Sequence, residues 1–146
     1  QWETFMLCGD PASTPGTYFA GFDSTRVSPI SCPDNLDFDA EGNLWIATDG
    51  APASPGFAEW NDGIFAVPTE GADRGHVRQF LSGVRGCEVA SLKHSGDGKT
   101  LFASIQHPGE GTGLPNTASS WPDGTNLPPR PSVIAVRHAH GKRIGI

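Results

Sequence analysis

A chain of 146 residues with 36 % apolar composition is long enough for one domain with a real core, which excludes global disorder. The formal net charge is −6 and the ten Lys and Arg residues are scattered apart from a short basic tail, so no nucleic-acid partner is expected. No apolar run approaches the roughly 20 residues of a bilayer span, and Cys8, Cys32 and Cys87 leave one thiol unpaired in any connectivity and match no zinc spacing.

Glycine (19) and proline (13) together make up about a fifth of the chain, against an average near 12 %. They fall between short runs rich in Val, Ile, Phe and Trp, the pattern of turn-linked strands, so the class is all-β. In chain order, residues 1–31 read as a strand around Phe5 to Cys8 followed by a Gly- and Pro-rich loop. Residues 32–86 hold a hairpin with its turn at Asp39 to Asn43, a run from Leu44 to Thr48, a third run from Gly63 to Val67, and a fourth from Val77 to Leu81. Residues 87–146 repeat the order: a run from Val89, a turn at Ser95 to Lys99, Leu101 to Ile105, then Ser132 to Val136 after a long loop at 107–131.

Four antiparallel strands per unit at a spacing of about 40 to 50 residues is the period of propeller blades. The chain reads as a partial β-propeller of slightly under two four-stranded antiparallel blades. A blade buries its faces against neighbours, so faces carrying Trp45, Phe65, Phe102 and Ile134 need a partner, and self-association is expected. A two-sheet sandwich closed on itself is the other architecture that fits.

In a propeller the innermost strand of each blade starts near the central axis. Asp34 and Asn35 stand just before the first such strand and Glu88 just before the second, 54 positions on from Asp34. Adjacent blades would aim these oxygens at one region, where a hard cation such as calcium takes carboxylate and amide oxygens at about 2.3 to 2.6 Å. The plainer reading stands beside it: Asp and Asn after Pro close Asx-turns, and Glu88 is an exposed charge at a strand entry. Asp49 and Asp62, each beside a glycine, read as turn formers rather than ligands, and Cys32 and Cys87 as small buried thiols. His107 opens the long loop, whose length fits a rim or lid or an unordered excursion. The tail around Arg137, His138, His140, Lys142 and Arg143 reads as a solvated terminus.

These residues also carry a resemblance to a family. The run Cys32-Pro33-Asp34-Asn35-Leu36, the stretch from Asp39 through Gly42, Asn43 and Trp45 to Gly50, the stretch Asn61 to Gly71, Glu88-Val89, Gly98 to Glu110, and Trp121-Pro122 before Arg130-Pro131-Ser132 resemble the PhoX-type alkaline phosphatases in order and over nearly the whole chain. The resemblance implies a six-bladed propeller that hydrolyses phosphate monoesters outside the cytoplasm, in the periplasm or after secretion, with calcium and iron at its centre. It implies metal-ligand roles for Asp34 and Glu88 and a ligating or orienting role for Asn35. His107 matches a motif, as a substrate or rim residue, without a role carried over. The family's cysteine-bearing, Gly-rich motif with paired glutamates has no counterpart here. The expectation is therefore a C-terminal portion of such an enzyme, with part of a metal site, weak calcium binding at most, and no complete active site. A non-catalytic binding or assembly module, and a calcium-dependent propeller lactonase, are the competing readings.

Overall fold

The computed structural model describes residues 2–113, 117–125 and 127–145. Among them the chain forms nine strands: β1 (Met6–Leu7), β2 (Tyr18–Phe19), β3 (Pro33–Phe38), β4 (Leu44–Thr48), β5 (Gly63–Val67), β6 (Arg78–Ser82), β7 (Glu88–His94), β8 (Thr100–Gln106) and β9 (Ser132–Arg137). Two single 3-10 turns complete the regular structure, and no helix of the described residues is long and apolar enough to cross a membrane. All pairing is antiparallel: β1 with β2, the meander β3-β4-β5-β6, and the meander β7-β8-β9. The fold is all-β, as the composition indicates, with one four-stranded and one three-stranded antiparallel sheet in succession.

Each inner hairpin is set by a turn whose backbone donors are taken up by a side chain. In the first, Oδ1 of Asp39 accepts the N–H groups of Glu41 (3.0 Å) and Asn43 (2.9 Å), while Oδ2 accepts Asn43 Nδ2 and the Trp45 indole N–H, both at 2.9 Å. Gly42 takes φ 84°, where a Cβ would be strained. In the second hairpin Asp97 accepts the Ser95 hydroxyl (2.7 Å) and Lys99 N–H (3.0 Å), and the Ser95 oxygen accepts Thr100 N–H (3.0 Å). The two turns differ by one residue in length, closing Asp39 N–H on Asn43 O and Ser95 N–H on Thr100 O, yet each is held by a short polar side chain at or near its first position.

The two meanders pack face to face. Strand alternation sends Trp45 and Ala47 of β4, and Ile64 and Ala66 of β5, into one core with Val89, Leu92, Leu101, Ala103 and Ile105 of the second sheet. The opposite residues, Ile46, Phe65 and Val67, form a second core with Phe19, Ile30 and Val77, so the N-terminal segment covers the other face of β4 and β5, while Leu36 and Phe38 of β3 stay exposed. All five residues of β5 are buried, as a strand covered on both faces requires. Of the four side chains expected to need a neighbour, Trp45 and Phe65 are buried and Ile134 packs against the inter-sheet core, while Phe102 remains exposed. Across the junction, Asp37 of β3 accepts Lys93 Nζ at 2.6 Å and His94 N–H at 3.3 Å, with His94 Nδ1 also 3.3 Å away.

Two expectations are refined. The loop assigned within residues 1–31 contains β2, paired to β1. The basic tail is anchored rather than merely solvated: Ile144 is buried, its N–H donates to Gly98 O at 2.8 Å, and Arg143 pairs with Glu41.

Candidate metal centre

The carboxylate oxygens of Asp34, Asp49 and Glu88 lie within 4.8 Å of one another. Three different local devices bring them there. Asp34 is the extra residue of a β-bulge: Pro33 pairs with Thr48 and Asn35 with Ala47, leaving Asp34 without a partner, and a bulge re-aims the side chain it carries. Asp49 directly follows β4, and the same register returns the end of β4 to the start of β3, so it arrives beside Asp34; its N–H donates to Cys32 O at 3.1 Å. Glu88 opens β7, the strand of the second sheet that packs on β3 and β4.

The centre is flanked by hydrogen-bonded polar groups. Asn35 Nδ2 donates to Asp34. Gln106, the cross-strand partner of Glu88, donates its amide to Oε1 at 2.7 Å, and His107 Nε2 stands 3.0 Å from Oε2. The other ring nitrogen of His107 lies 3.3 Å from Glu110. Desolvation first, and then the charges of Glu88, Asp62 and Asp34, push the Asp49 carboxyl above the usual carboxylate range, with His107 pulling the other way.

The donor set decides which ions suit it. Three carboxylates with an adjacent carboxamide offer hard oxygen donors, which match calcium and other hard cations and not soft ones. The thiols stay out of it. Cys32 Sγ lies 3.1 Å from Ser54 Oγ, and all three cysteines are free. Burial pushes the Cys87 thiol up to about 11; burial, reinforced by Cys32, does the same for Cys8. Both are thereby held protonated at neutral pH, and neither belongs to the carboxylate cluster.

Asp34, Asn35 and Glu88, singled out by strand-entry position, and His107, singled out as the residue that opens the long loop, are thus brought together. Asp49 is different: the turn it occupies is real, but its carboxylate joins the centre. The available signal was the hairpin itself, since pairing β3 antiparallel to β4 returns the residue after β4 to the residue opening β3. Asp62 keeps the turn-forming part, with three hydrogen bonds to residues 48–51. A cleft of about 440 Å³ beside Glu110, lined by Trp60, Asn61, Arg85 and Gly86, had no sequence signal because its walls come from three separate loops.

The sequence matches the family model described as alkaline phosphatase PhoX over residues 1–109. Among solved structures, the chain is similar to Pseudomonas fluorescens PhoX in complex with vanadate, a transition state analogue, at 37 % identity and a TM-score of 0.74. The match covers 96 % of this chain and 23 % of that one. Comparison with curated proteins gives no match. With three quarters of its length inside the family model and the strand-entry motifs in place, the chain belongs to the PhoX family of alkaline phosphatases.

Proposed function

We propose that this chain forms part of the metal centre of a phosphate-monoester hydrolase, with Asp34, Asp49 and Glu88 as ligands of a hard cation, calcium first, and Asn35 orienting or joining them. The observation that carries this reading is the convergence of three carboxylates from two successive sheets, Asp34 and Asp49 exposed and Glu88 half-buried, whose mutual repulsion a bound cation would relieve. In water at 4 Å each like-charge pair costs roughly 1 kcal/mol, and more where solvent is partly excluded. Bound there, a cation supplies electrostatic stabilisation to the phosphoryl oxygens as charge develops on them. Vanadate in the relative stands in for the transferring phosphoryl group, which favours phosphate esters over the lactone reading.

The chain's own residues have separable parts in this reading. Glu88 is held by Gln106 and His107, so a ligand oxygen keeps its direction as the ester arrives. The cleft beside Glu110, with Trp60 and Arg85 on its walls, takes the alcohol portion of the ester. Iron belongs in the same proposal for the longer protein, held by residues outside this segment; so does a periplasmic or secreted location. The blade layout (residues 32–86 and 87–146, with 1–31 from a preceding blade) likewise belongs to a six-bladed whole. The test is phosphomonoesterase turnover by a longer PhoX protein carrying this segment: Glu88→Gln should lower kcat by about 100-fold or more. Undiminished turnover would refute the ligand role.

A further inference from the structure

We infer that Asp62 is the positioning residue of the metal centre: it fixes Asp49 for the cation without being a ligand itself. The inference rests on the cation reading of Asp34, Asp49 and Glu88. Asp62 precedes β5 and is only 3 % exposed. Its Oδ1 accepts the Thr48 hydroxyl at 2.7 Å and Ala51 N–H at 3.0 Å, and its Oδ2 accepts Gly50 N–H at 3.0 Å. Three donors on one buried carboxylate thus come from the residue before Asp49 and the two after it. The fourth tie is Asp49's own N–H to Cys32 O, two residues ahead of Asp34.

Asp62 is itself boxed in. Thr48 Oγ1, having donated to it, accepts Gly63 N–H at 3.0 Å, and the Asp62 carbonyl accepts Gly83 N–H at 2.7 Å. A Cβ added at Gly83 would stand 2.7 Å from that carbonyl and 2.6 Å from Cys87 Sγ, so only glycine admits this approach. The clamp is therefore anchored to β5 and to the β6–β7 connection, not to the flexible end of a side chain. What it works against is the mutual repulsion of Asp34, Asp49 and Glu88, which would otherwise turn the 48–51 loop outward before a cation arrives.

Asp62→Asn separates this role from bulk. The amide keeps one acceptor oxygen for Thr48 and Ala51 but turns an N–H₂ toward the Gly50 N–H, so the bond beside Asp49 is lost while the volume is kept. Calcium titrations by calorimetry on the 146-residue chain should show Asp62→Asn weaker than wild type by about 10- to 100-fold. In an Asp49→Asn background the same change should have no further effect, because Asp62 acts through Asp49. Thr48→Val should also weaken binding about 10-fold, with Thr48→Ser restoring it; this pair carries the test if Asp62→Asn does not fold. Wild-type affinity in both Asp62→Asn and Thr48→Val overturns the inference, as does an equal Asp62→Asn loss with and without Asp49. No calcium binding by the wild-type chain would instead remove the cation reading, and this inference with it.

Discussion

Oε2 of Glu88 and Nε2 of His107 stand 3.0 Å apart, joining the first residue of one strand to the residue that follows its hairpin partner. With Gln106 on the other oxygen, Glu88 has little rotational freedom left. His107→Ala should therefore lower calcium affinity by about 10-fold, and Glu88→Gln by more, because the first change loosens a ligand and the second replaces it. Calorimetric titration of both variants checks the order; equal affinities for His107→Ala and wild type would mean that the histidine does not hold the carboxylate.

Asp39 holds the first inner turn, and its ionisation is worth stability. Burial opposes the charge, but the donors on Trp45, Asn43 and Glu41 outweigh it and hold the carboxyl below the usual carboxylate range. A folded value below the unfolded one gives stability that is complete above the unfolded carboxylate value of about 3.9 and is lost as pH falls through the folded value. Asp39→Asn should cost about 2 kcal/mol in urea denaturation at pH 7, with the gap to wild type closing below about pH 4. A gap that persists unchanged at low pH would show that charge plays no part.

The junction between the sheets offers an asymmetric pair. Lys93 is 75 % exposed at its side chain, whereas Asp37 is buried and also receives His94 N–H and faces its Nδ1. The Nε2 of His94 is buried with no hydrogen-bond partner among the described residues, so removing Asp37 leaves that imidazole with no polar contact. Lys93→Met should cost less than about 1 kcal/mol and Asp37→Ala about 3 kcal/mol. Comparable losses from the two would place the stabilisation in the exposed ion pair instead.

The outer face of β7–β9, away from the inter-sheet core, exposes Phe102 by 42 % and Val133 by 69 %. Self-association through this face is the expected behaviour of the isolated chain, since an apolar sheet face gains by covering. Sedimentation velocity should show a concentration-dependent dimer that Phe102→Asp with Val133→Lys returns to monomer. A wild-type chain that stays monomeric at all concentrations contradicts this.

Strand order, both inner hairpins and the repeat were legible because each hairpin is announced by local chemistry: an Asp or Ser with a glycine between two alternating runs. That Asp34 and Glu88 come together was legible because strand entry is a position within a repeat. Asp49 was not, because its neighbour Gly50 gives the same signal whether the carboxylate caps a turn or points at a site; only the register of β3 on β4 distinguishes them. The Asp62 clamp and the Trp60–Arg85 cleft depend on contacts between loops distant in sequence, which no local pattern encodes. Pairing within 1–31 was also hidden, since β1 and β2 are two residues each, too short to alternate.

The most direct measurement is a calcium titration of the chain beside its Asp34→Asn, Glu88→Gln double variant, which keeps side-chain volume while removing two of the three charges. Saturable binding by the wild-type chain, with a dissociation constant on the order of 0.1 to 1 mM, and none by the variant is the predicted result. Equal binding by the two, or no heat from either, would contradict a cation site at the meeting of these strand ends.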